Sequence, residues 1–146
     1  MLHSTQYKRE TILYNDNGKP CLAGNNKHIS ISHTNEYVAI AVSDYPIGID
    51  IERTDRNAYA VAKSFLTAQE IDILTQENNP AKEALCLWSA KEAAFKLASE
   101  NIAILKEIGI TKNADSYTVT YPDNSTAKCD CLILDDIVLS VATRRY

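Results

Sequence analysis

Residues 28–52 read HISISHTNEYVAIAVSDYPIGIDIE, and this stretch contains three short runs that are rich in β-forming residues. The runs are HISIS, YVAIAVS and IGIDI, and the polar segments HTNE and DYP between them are typical of tight connections. Connections this short join antiparallel neighbours, because a parallel pair needs a long crossover. We therefore predict a small antiparallel sheet in this part of the chain.

Beyond this stretch the pattern becomes helical, from about residue 57 to residue 100. The segments AYAVAKSF and TAQEIDILTQ, and a long run that starts at Pro80, predict three helices. In the second helix Thr67 occupies the N-cap position, and Glu70 three residues later completes a capping-box pattern.

The last part of the chain returns to strand composition. ITKNAD is predicted as a turn region, and SYTVTYP, AKCDCLIL and IVLSVATR as strands, with PDNS and DD as hairpin connections. Strands and helices are thus segregated along the chain rather than alternating. This order predicts an α+β fold with a mostly antiparallel sheet packed against helices.

The bulk properties limit the classes of protein that this chain can represent. Its 146 residues, 45% of them hydrophobic, fit a single domain with its own core, and no internal repeat or Gly-, Ser- or Pro-rich linker divides residues 1–146. A formal net charge of −4 argues against a nucleic-acid binder. No apolar run reaches the roughly 20 residues of a membrane span, and the N-terminal sequence has no signal-peptide core, so we expect a cytoplasmic protein without membrane contact.

Two acids stand out in the segment GIDIE. Side chains alternate along a strand, so Asp50 and Glu52 share the face opposite Ile49 and Ile51. Carboxylates this close repel each other unless a cation lies between them, and hard oxygen ligands suit Mg²⁺ or Mn²⁺. From the pair alone, a solvated acidic strand face is the favoured explanation, since Asp and Glu on exposed strand faces are ordinary.

A third acid, Glu92, interrupts the apolar stripe that Leu85, Trp88 and Phe95 form at helical spacing in the long run from Pro80. Burying a carboxylate without a partner costs several kcal/mol, so we expect Glu92 to bind a metal, a cation or hydrogen-bond donors. The alternative is a surface ion pair with Lys96, four residues later.

Three further features are weaker candidates for anion binding. Lys91 and Lys96 flank Glu92, so we expect both ammonium groups near an anion that is held at the carboxylates. Ser32 and His33 stand at the end of a predicted strand, where both could donate to a phosphate. Lys19 lies in the turn sequence NGKPCL.

Five motifs in this order resemble the phosphopantetheinyl transferase superfamily. They are GKPCL at 18–22, ISISH at 29–33, GIDIE at 48–52, FLTAQEIDIL at 65–74 and WSAKEAAFK at 88–96. The upstream motifs resemble the surfactin-synthetase-activating type, whose fold consists of two similar halves related by a pseudo-twofold axis. The resemblance implies that residues 1–46 form an abbreviated first half and residues 47–146 a complete second half.

The resemblance also implies an activity, namely Mg²⁺-dependent transfer of phosphopantetheine from coenzyme A to a serine hydroxyl. The acceptor would be an acyl, peptidyl or aryl carrier protein, and the by-product adenosine 3',5'-bisphosphate. By position in the motifs, the metal ligands would be Asp50, Glu52 and Glu92, and the catalytic residues Asp50, Glu92 and Lys96. The coenzyme A contacts would be Gly18, Lys19 and Pro20 at the adenine, Ser32 and His33 at the 3'-phosphate, and Lys91 and Lys96 at the other phosphates.

The short first half leaves some of the family's features open. In the family, basic residues upstream of these motifs help to bind the phosphates of coenzyme A, and here only Lys8 or Arg9 could correspond to them. Three explanations for the short first half are open: a naturally abbreviated enzyme, a wrongly chosen start methionine, or a site that is completed by self-association. A basic or apolar strip that includes Lys63, Lys82 or Arg56 is expected to meet an acidic carrier. The alternative functions are a non-catalytic module that binds coenzyme A or a carrier protein, and another Mg²⁺-dependent phosphate-ester enzyme.

Overall fold

The computed structural model describes residues 10–98 and 102–144. The strands in chain order are β1 (Ile12–Tyr14), β2 (Pro20–Leu22), β3 (His28–His33), β4 (Val38–Ser43), β5 (Ile47–Arg53), β6 (Gly109–Lys112), β7 (Tyr117–Thr120), β8 (Thr126–Leu134) and β9 (Ile137–Thr143). The α-helices are α1 (Ala62–Phe65), α2 (Ala68–Thr75) and α3 (Pro80–Leu97). The order of strands, helices and strands confirms the predicted α+β class.

The main sheet has five strands in the order β5-β9-β8-β7-β6, and every neighbouring pair is antiparallel. The β7–β8 turn places Asn124 at φ 65°, and the β8–β9 turn places Asp135 at φ 45°. Asn and Asp tolerate this left-handed conformation better than other non-glycine residues. The predicted hairpin connections PDNS and DD are therefore confirmed.

The outer strand β6 corrects the sequence prediction, which treated residues 110–115 as a turn. Residues 109–112 instead pair with β7 at the edge of the sheet. The Ile110 N–H donates to Glu70 Oε1 at 3.0 Å. A partner from α2 and a neighbouring strand thus hold a segment whose composition alone favours a turn.

The three predicted strands of residues 28–51 all form, but they do not make one sheet. Strands β3 and β4 pair as an antiparallel hairpin, whereas β5 joins β9 in the main sheet. Strand β3 still reaches β5 through side chains, because the hydroxyls of Ser30 and Ser32 accept from the backbone N–H groups of Ile49 and Ile51 at 3.0 and 3.1 Å. Serine side chains therefore satisfy donors on β5 that a neighbouring strand would otherwise take.

The three predicted helices are present, and the first is short and preceded by a 3₁₀ turn over Tyr59–Val61. The capping box of α2 is confirmed: Thr67 accepts from the Glu70 N–H, and Glu70 accepts from the Thr67 N–H. Asn79 caps α3 through its side chain, and Pro80 follows at the first helical position.

Helix α3 packs across the main sheet and buries the core of the molecule. The largest fully buried apolar side chains are Phe65, Leu66, Leu74, Ile108, Val119 and Val138. None of the helices in the described ranges is long and apolar enough to cross a membrane.

Candidate active site

One face of β5 lies directly against α3, because Gly48 has no side chain. A Cβ placed at Gly48 would stand 2.0 Å from the carbonyl oxygen of Ala93 and 2.6 Å from the backbone nitrogen of Leu97. Asp50 and Glu52 follow at steps of two and so face the same helix. The two acids share a strand face as the alternation predicts, and a helix covers that face.

Asp50 is the most buried acid of the site, with 4% of its surface exposed. Its Oδ1 atom accepts hydrogen bonds from Ser32 Oγ at 3.1 Å and from Lys96 Nζ at 3.0 Å. Its Oδ2 atom is buried and has no hydrogen-bond partner among the described residues. An unpartnered carboxylate oxygen in the interior is costly, so this atom is a candidate for binding a cation.

Ser32 is part of the same network and has no hydrogen-bonding capacity left over. Its hydroxyl donates to Asp50 and accepts from the Ile51 N–H at 3.1 Å and from Lys96 Nζ at 2.9 Å. His33 is the next residue on β3, so its side chain points to the other face of the strand, where it is exposed. The structure therefore corrects the expectation that both side chains meet at one anion.

Glu92 stands half-buried on the β5 side of α3. Among the described residues its carboxylate makes no hydrogen bond and no ion pair. The alternative of a surface ion pair with Lys96 is therefore wrong, because Lys96 binds Asp50 instead. Burial raises the pKa of Glu92, and the nearby charge of Asp50 adds to the increase, while Lys96 opposes it. The apolar stripe ends here, because Phe95 one turn later is exposed.

Glu52 has partners that the sequence reading missed. Its Oε1 accepts a hydrogen bond from Trp88 Nε1 at 2.7 Å. Both of its carboxylate oxygens also accept from Arg56 Nη1, each at 2.9 Å. The guanidinium of Arg56 also lies over the Trp88 ring, 4.4 Å from its centroid. The spacing of four residues between Glu52 and Arg56 gave no signal, because the strand ends between them.

The donors of this site suit a hard divalent cation. In the described parts of the chain no three acidic, histidine or cysteine side chains are already arranged around a metal position. The unpartnered Oδ2 of Asp50 and the free carboxylate of Glu92 nevertheless offer the oxygen ligands that Mg²⁺ and Mn²⁺ prefer. These two residues therefore fit the metal that the motifs imply, and Glu52 would join them on release from Arg56.

Lys91 is not part of this site, which corrects the expectation that its ammonium lies beside the carboxylates. The side chain is fully buried, and Nζ donates to Glu70 Oε2 at 2.8 Å and to the Phe65 carbonyl at 2.9 Å. Burial lowers the pKa of Lys91, and the hydrogen bond that Lys91 donates to Glu70 opposes that effect. The helical period already separates it from Lys96, because five residues correspond to a rotation of about 140° beyond one full turn.

The GKP motif lies apart from the acids, at the β1–β2 turn. Gly18 has φ 74°, which favours glycine at this position. Lys19 is partly buried, its Nζ lies 3.5 Å from the Ala98 carbonyl just beyond α3, and burial lowers its pKa. Lys19 and Pro20 line a cavity of about 190 Å³ together with Lys27 and His28, which the sequence reading gave no role. Lys8 and Arg9 lie outside the described residues.

The basic strip expected near the site is only partly available to a partner. Lys63 and Lys82 are exposed. Arg56 is bound to Glu52 and Trp88.

The protein has an α+β fold with a cluster of acids between one strand and one long helix. Comparison with known proteins identifies the family to which such a chain belongs. The family model of the 4'-phosphopantetheinyl transferase superfamily matches residues 46–142. The chain belongs to this superfamily. The solved structure of a holo-[acyl-carrier-protein] synthase from Neisseria meningitidis shares the fold, with a TM-score of 0.57 and 24% identity over 69% of this chain and 98% of that chain.

Curated relatives give the same family and also show a difference in length. The chain is 33% identical over 120 residues to the 4'-phosphopantetheinyl transferase gsp of Aneurinibacillus migulanus, which covers 79% of this chain and 50% of that protein. It is 38% identical over 90 residues to psf-1 of Bacillus pumilus, which covers 60% of this chain and 39% of that protein. The chain thus spans about half the length, or less, of these relatives.

Proposed function

We propose that this protein transfers the phosphopantetheine arm from coenzyme A to a serine hydroxyl of an acyl, peptidyl or aryl carrier protein. The reaction depends on Mg²⁺ and releases adenosine 3',5'-bisphosphate. The single observation that carries the proposal is that the unpartnered Oδ2 atom of Asp50 on β5 and the unbonded carboxylate of Glu92 on α3 lie close enough to interact electrostatically, in a chain of this family. Membership in the family supports turnover over the alternative of a module that only binds coenzyme A or a carrier protein.

The residues of the site have distinct roles in this reaction. A bound divalent cation would neutralise the diphosphate oxygens of coenzyme A. Asp50 and Glu92 would hold the cation, and Glu52 would join them on release from Arg56. Lys96 extends from α3 to Asp50, so its ammonium would lie near phosphate oxygens whose charge increases during transfer.

The serine proton needs an acceptor next to the attacking oxygen. Glu92 is one candidate, because burial raises its pKa and makes it a stronger base than an exposed glutamate. Contact with a cation lowers the pKa of a carboxylate, so a water molecule beside Glu92 is the second candidate. The pH profile of Glu92→Gln distinguishes the two, since only the first loses its acidic limb completely in that variant.

We propose that residues 1–46 correspond to an abbreviated first half and 47–146 to the complete second half. Lys19, Pro20 and the cavity beside them would receive the adenine, while His33 would contact the 3'-phosphate from its exposed position. Cytoplasmic localisation remains our expectation.

Self-association is a further part of the proposal. Val38, Ile40 and Val42 on β4 are all more than half exposed, and this strand pairs only with β3 among the described strands. An apolar strand with a free edge favours pairing with another copy. Sedimentation of the wild type and Ile40→Lys at high concentration tests this, and a monomeric wild type would contradict it.

The activity itself is tested by intact mass spectrometry of several apo-carrier proteins after incubation with the protein, coenzyme A and Mg²⁺. We expect a gain of one phosphopantetheine mass that EDTA prevents. Calorimetry with coenzyme A is run in parallel. Binding without any mass gain would favour the binding module, and the absence of both would overturn the proposal.

A further inference from the structure

Arg56 and Glu52 form a contact that the function above does not require. The guanidinium of Arg56 bridges both oxygens of Glu52 at 2.9 Å and lies 4.4 Å above the ring centroid of Trp88. Trp88 itself donates to Glu52 at 2.7 Å. The Glu52 side chain is only 12% exposed, whereas that of Arg56 is 43% exposed. Arg56 therefore covers Glu52 from the solvent side.

The other acid of β5 is bound in a different way. Lys96 contacts only the Oδ1 atom of Asp50, and the Oδ2 atom has no partner in the described residues. Asp50 therefore retains a carboxylate oxygen for a cation, whereas both oxygens of Glu52 already contact a cation of the chain itself. A divalent ion that uses Glu52 has to take the place of the guanidinium.

We propose that Arg56 is the affinity-determining residue of the divalent-cation site, because its guanidinium competes with the ion for the carboxylate of Glu52. This inference rests on the proposed function, since it concerns the metal of that site. Its physical basis is the strength of a charge-assisted contact to both carboxylate oxygens, which the ion must replace. Stacking on Trp88 holds the planar guanidinium in this position, and a lysine there would lack that plane.

The experiment is a titration of the purified protein with Mg²⁺ alone, followed by calorimetry and by the fluorescence of Trp88, the only tryptophan of the chain. The variants are Arg56→Gln, Arg56→Lys and the control Arg53→Gln. Arg53 lies at the end of β5 and pairs with Glu36, Asp55 and Asp136, so the control removes the same charge without touching Glu52.

We expect Arg56→Gln to bind Mg²⁺ about tenfold more tightly than the wild type, which corresponds to the loss of one charge-assisted contact of modest strength. Arg56→Lys should lie between the two, and Arg53→Gln should stay within about twofold of the wild type, because the Arg53 guanidinium pairs with Glu36, Asp55 and Asp136 rather than with Glu52. The Mg²⁺-dependent change in Trp88 fluorescence should become smaller in Arg56→Gln, since the stacked guanidinium is already gone.

Two other results would overturn the inference in distinguishable ways. Equal affinities in Arg56→Gln and the wild type, or an equal gain in Arg53→Gln, would exclude the competition while leaving the metal site in place. No saturable Mg²⁺ binding in any variant would remove the metal site and the inference together.

Discussion

Helix α3 carries two charged clusters on different faces, and they differ in how completely their atoms are bonded. The Lys91–Glu70 pair is buried and well bonded: Lys91 donates to Glu70 and to the Phe65 carbonyl, and Glu70 also accepts from the Thr67 N–H and the Ile110 N–H. The acidic cluster, which consists of Asp50, Glu52, Glu92 and Lys96, keeps unpartnered oxygens at Asp50 and Glu92. The Lys91–Glu70 pair connects α1, α2, α3 and β6, whereas the acidic cluster keeps carboxylate oxygens that can bind a cation.

Hydrogen-bond saturation therefore distinguishes a structural ion pair from a candidate binding site. A buried charge with all of its hydrogen bonds made has nothing left for a ligand, so its loss should affect folding. A buried acid with an orphaned oxygen is kept at a cost in stability, and functional sites are where such a cost is expected.

Removing the charge of the acidic cluster should abolish transfer without unfolding the protein. We expect Asp50→Asn and Glu92→Gln to lower kcat/KM at least about 100-fold, because the cation loses a ligand. The melting temperature of Glu92→Gln should stay the same or rise, since an unpaired half-buried charge is relieved, whereas Asp50→Asn also loses the ion pair with Lys96 and should lower it slightly. Intact mass spectrometry of the carrier and thermal melting measure the two effects. Asp130→Asn, at a more exposed strand position paired with Lys128, is the control, and near-normal turnover in Asp50→Asn would remove its metal role.

Substitution of Lys91 should mainly lower stability, whereas substitution of Lys96 should mainly lower transfer activity. Lys91→Met leaves Glu70 buried without its cation and should cost about 3 to 5 kcal/mol of unfolding free energy. Lys96→Met should cost less stability than Lys91→Met, because Lys96 is 29% exposed and Asp50 keeps its hydrogen bond from Ser32, but it should impair transfer. Denaturant unfolding and the mass assay compare them.

A double variant tests the coupling between the two buried partners. Lys91→Met combined with Glu70→Gln should be more stable than Lys91→Met alone, because no unpaired charge remains. Equal stability of the single and double variants would show that the pair does not act as one unit.

The close contact between β5 and α3 can be broken at Gly48. Gly48→Ala should destabilise the protein by about 1 to 3 kcal/mol, because the new methyl group meets backbone atoms of α3 that cannot rotate away. It should also reduce transfer, since the acids of β5 move away from Glu92. Gly109→Ala is the control, because its nearest atoms would lie at 3.7 and 3.8 Å. Equal melting temperatures for the two variants would contradict the tight contact.

Tyr121 holds the last turn of α3, where its hydroxyl donates to the Ala94 carbonyl at 2.8 Å. Burial raises the pKa of Tyr121 to about 12, from an ordinary value of 10.0. The folded protein keeps this proton to a higher pH than the unfolded chain does. Its contribution to stability is therefore complete below about pH 10 and is lost as the pH rises toward 12.

Tyr121→Phe should accordingly cost about 1 kcal/mol at neutral pH through the lost hydrogen bond. It should also make the decrease in unfolding free energy between about pH 10 and pH 12 less steep than in the wild type. Unfolding in denaturant at several pH values measures both effects. Parallel curves for the two proteins would show that Tyr121 does not titrate in this range.

Much of the fold could be predicted from the sequence, because the signals are local. Alternation placed Asp50 and Glu52 on one strand face, and the capping box of Thr67 and Glu70 marked the start of α2. The segment around β6 could not be recognised, since it becomes a strand only through β7 and through Glu70 of a distant helix.

The candidate site was predictable in its residue types and less so in its contacts. The sequence motifs brought attention to Asp50, Glu92 and Lys96, which meet as expected. They gave no sign that Ser32 uses its hydroxyl within the network, or that Arg56 covers Glu52. Such contacts depend on which strands and helices become neighbours, and no local pattern encodes that.

The sequence by itself determined the α+β order of elements, the family of the protein and the acids of its candidate site, because periodicity, capping and motifs act within a few residues. Only the tertiary structure decided that β5 leaves its hairpin neighbours for β9, some 90 positions along the chain. It also decided that Lys96 binds Asp50, while Lys91 is buried against Glu70. The physical reason is that burial and hydrogen-bond saturation depend on partners far apart in the chain, and these quantities separate a structural charge from one that is free to bind.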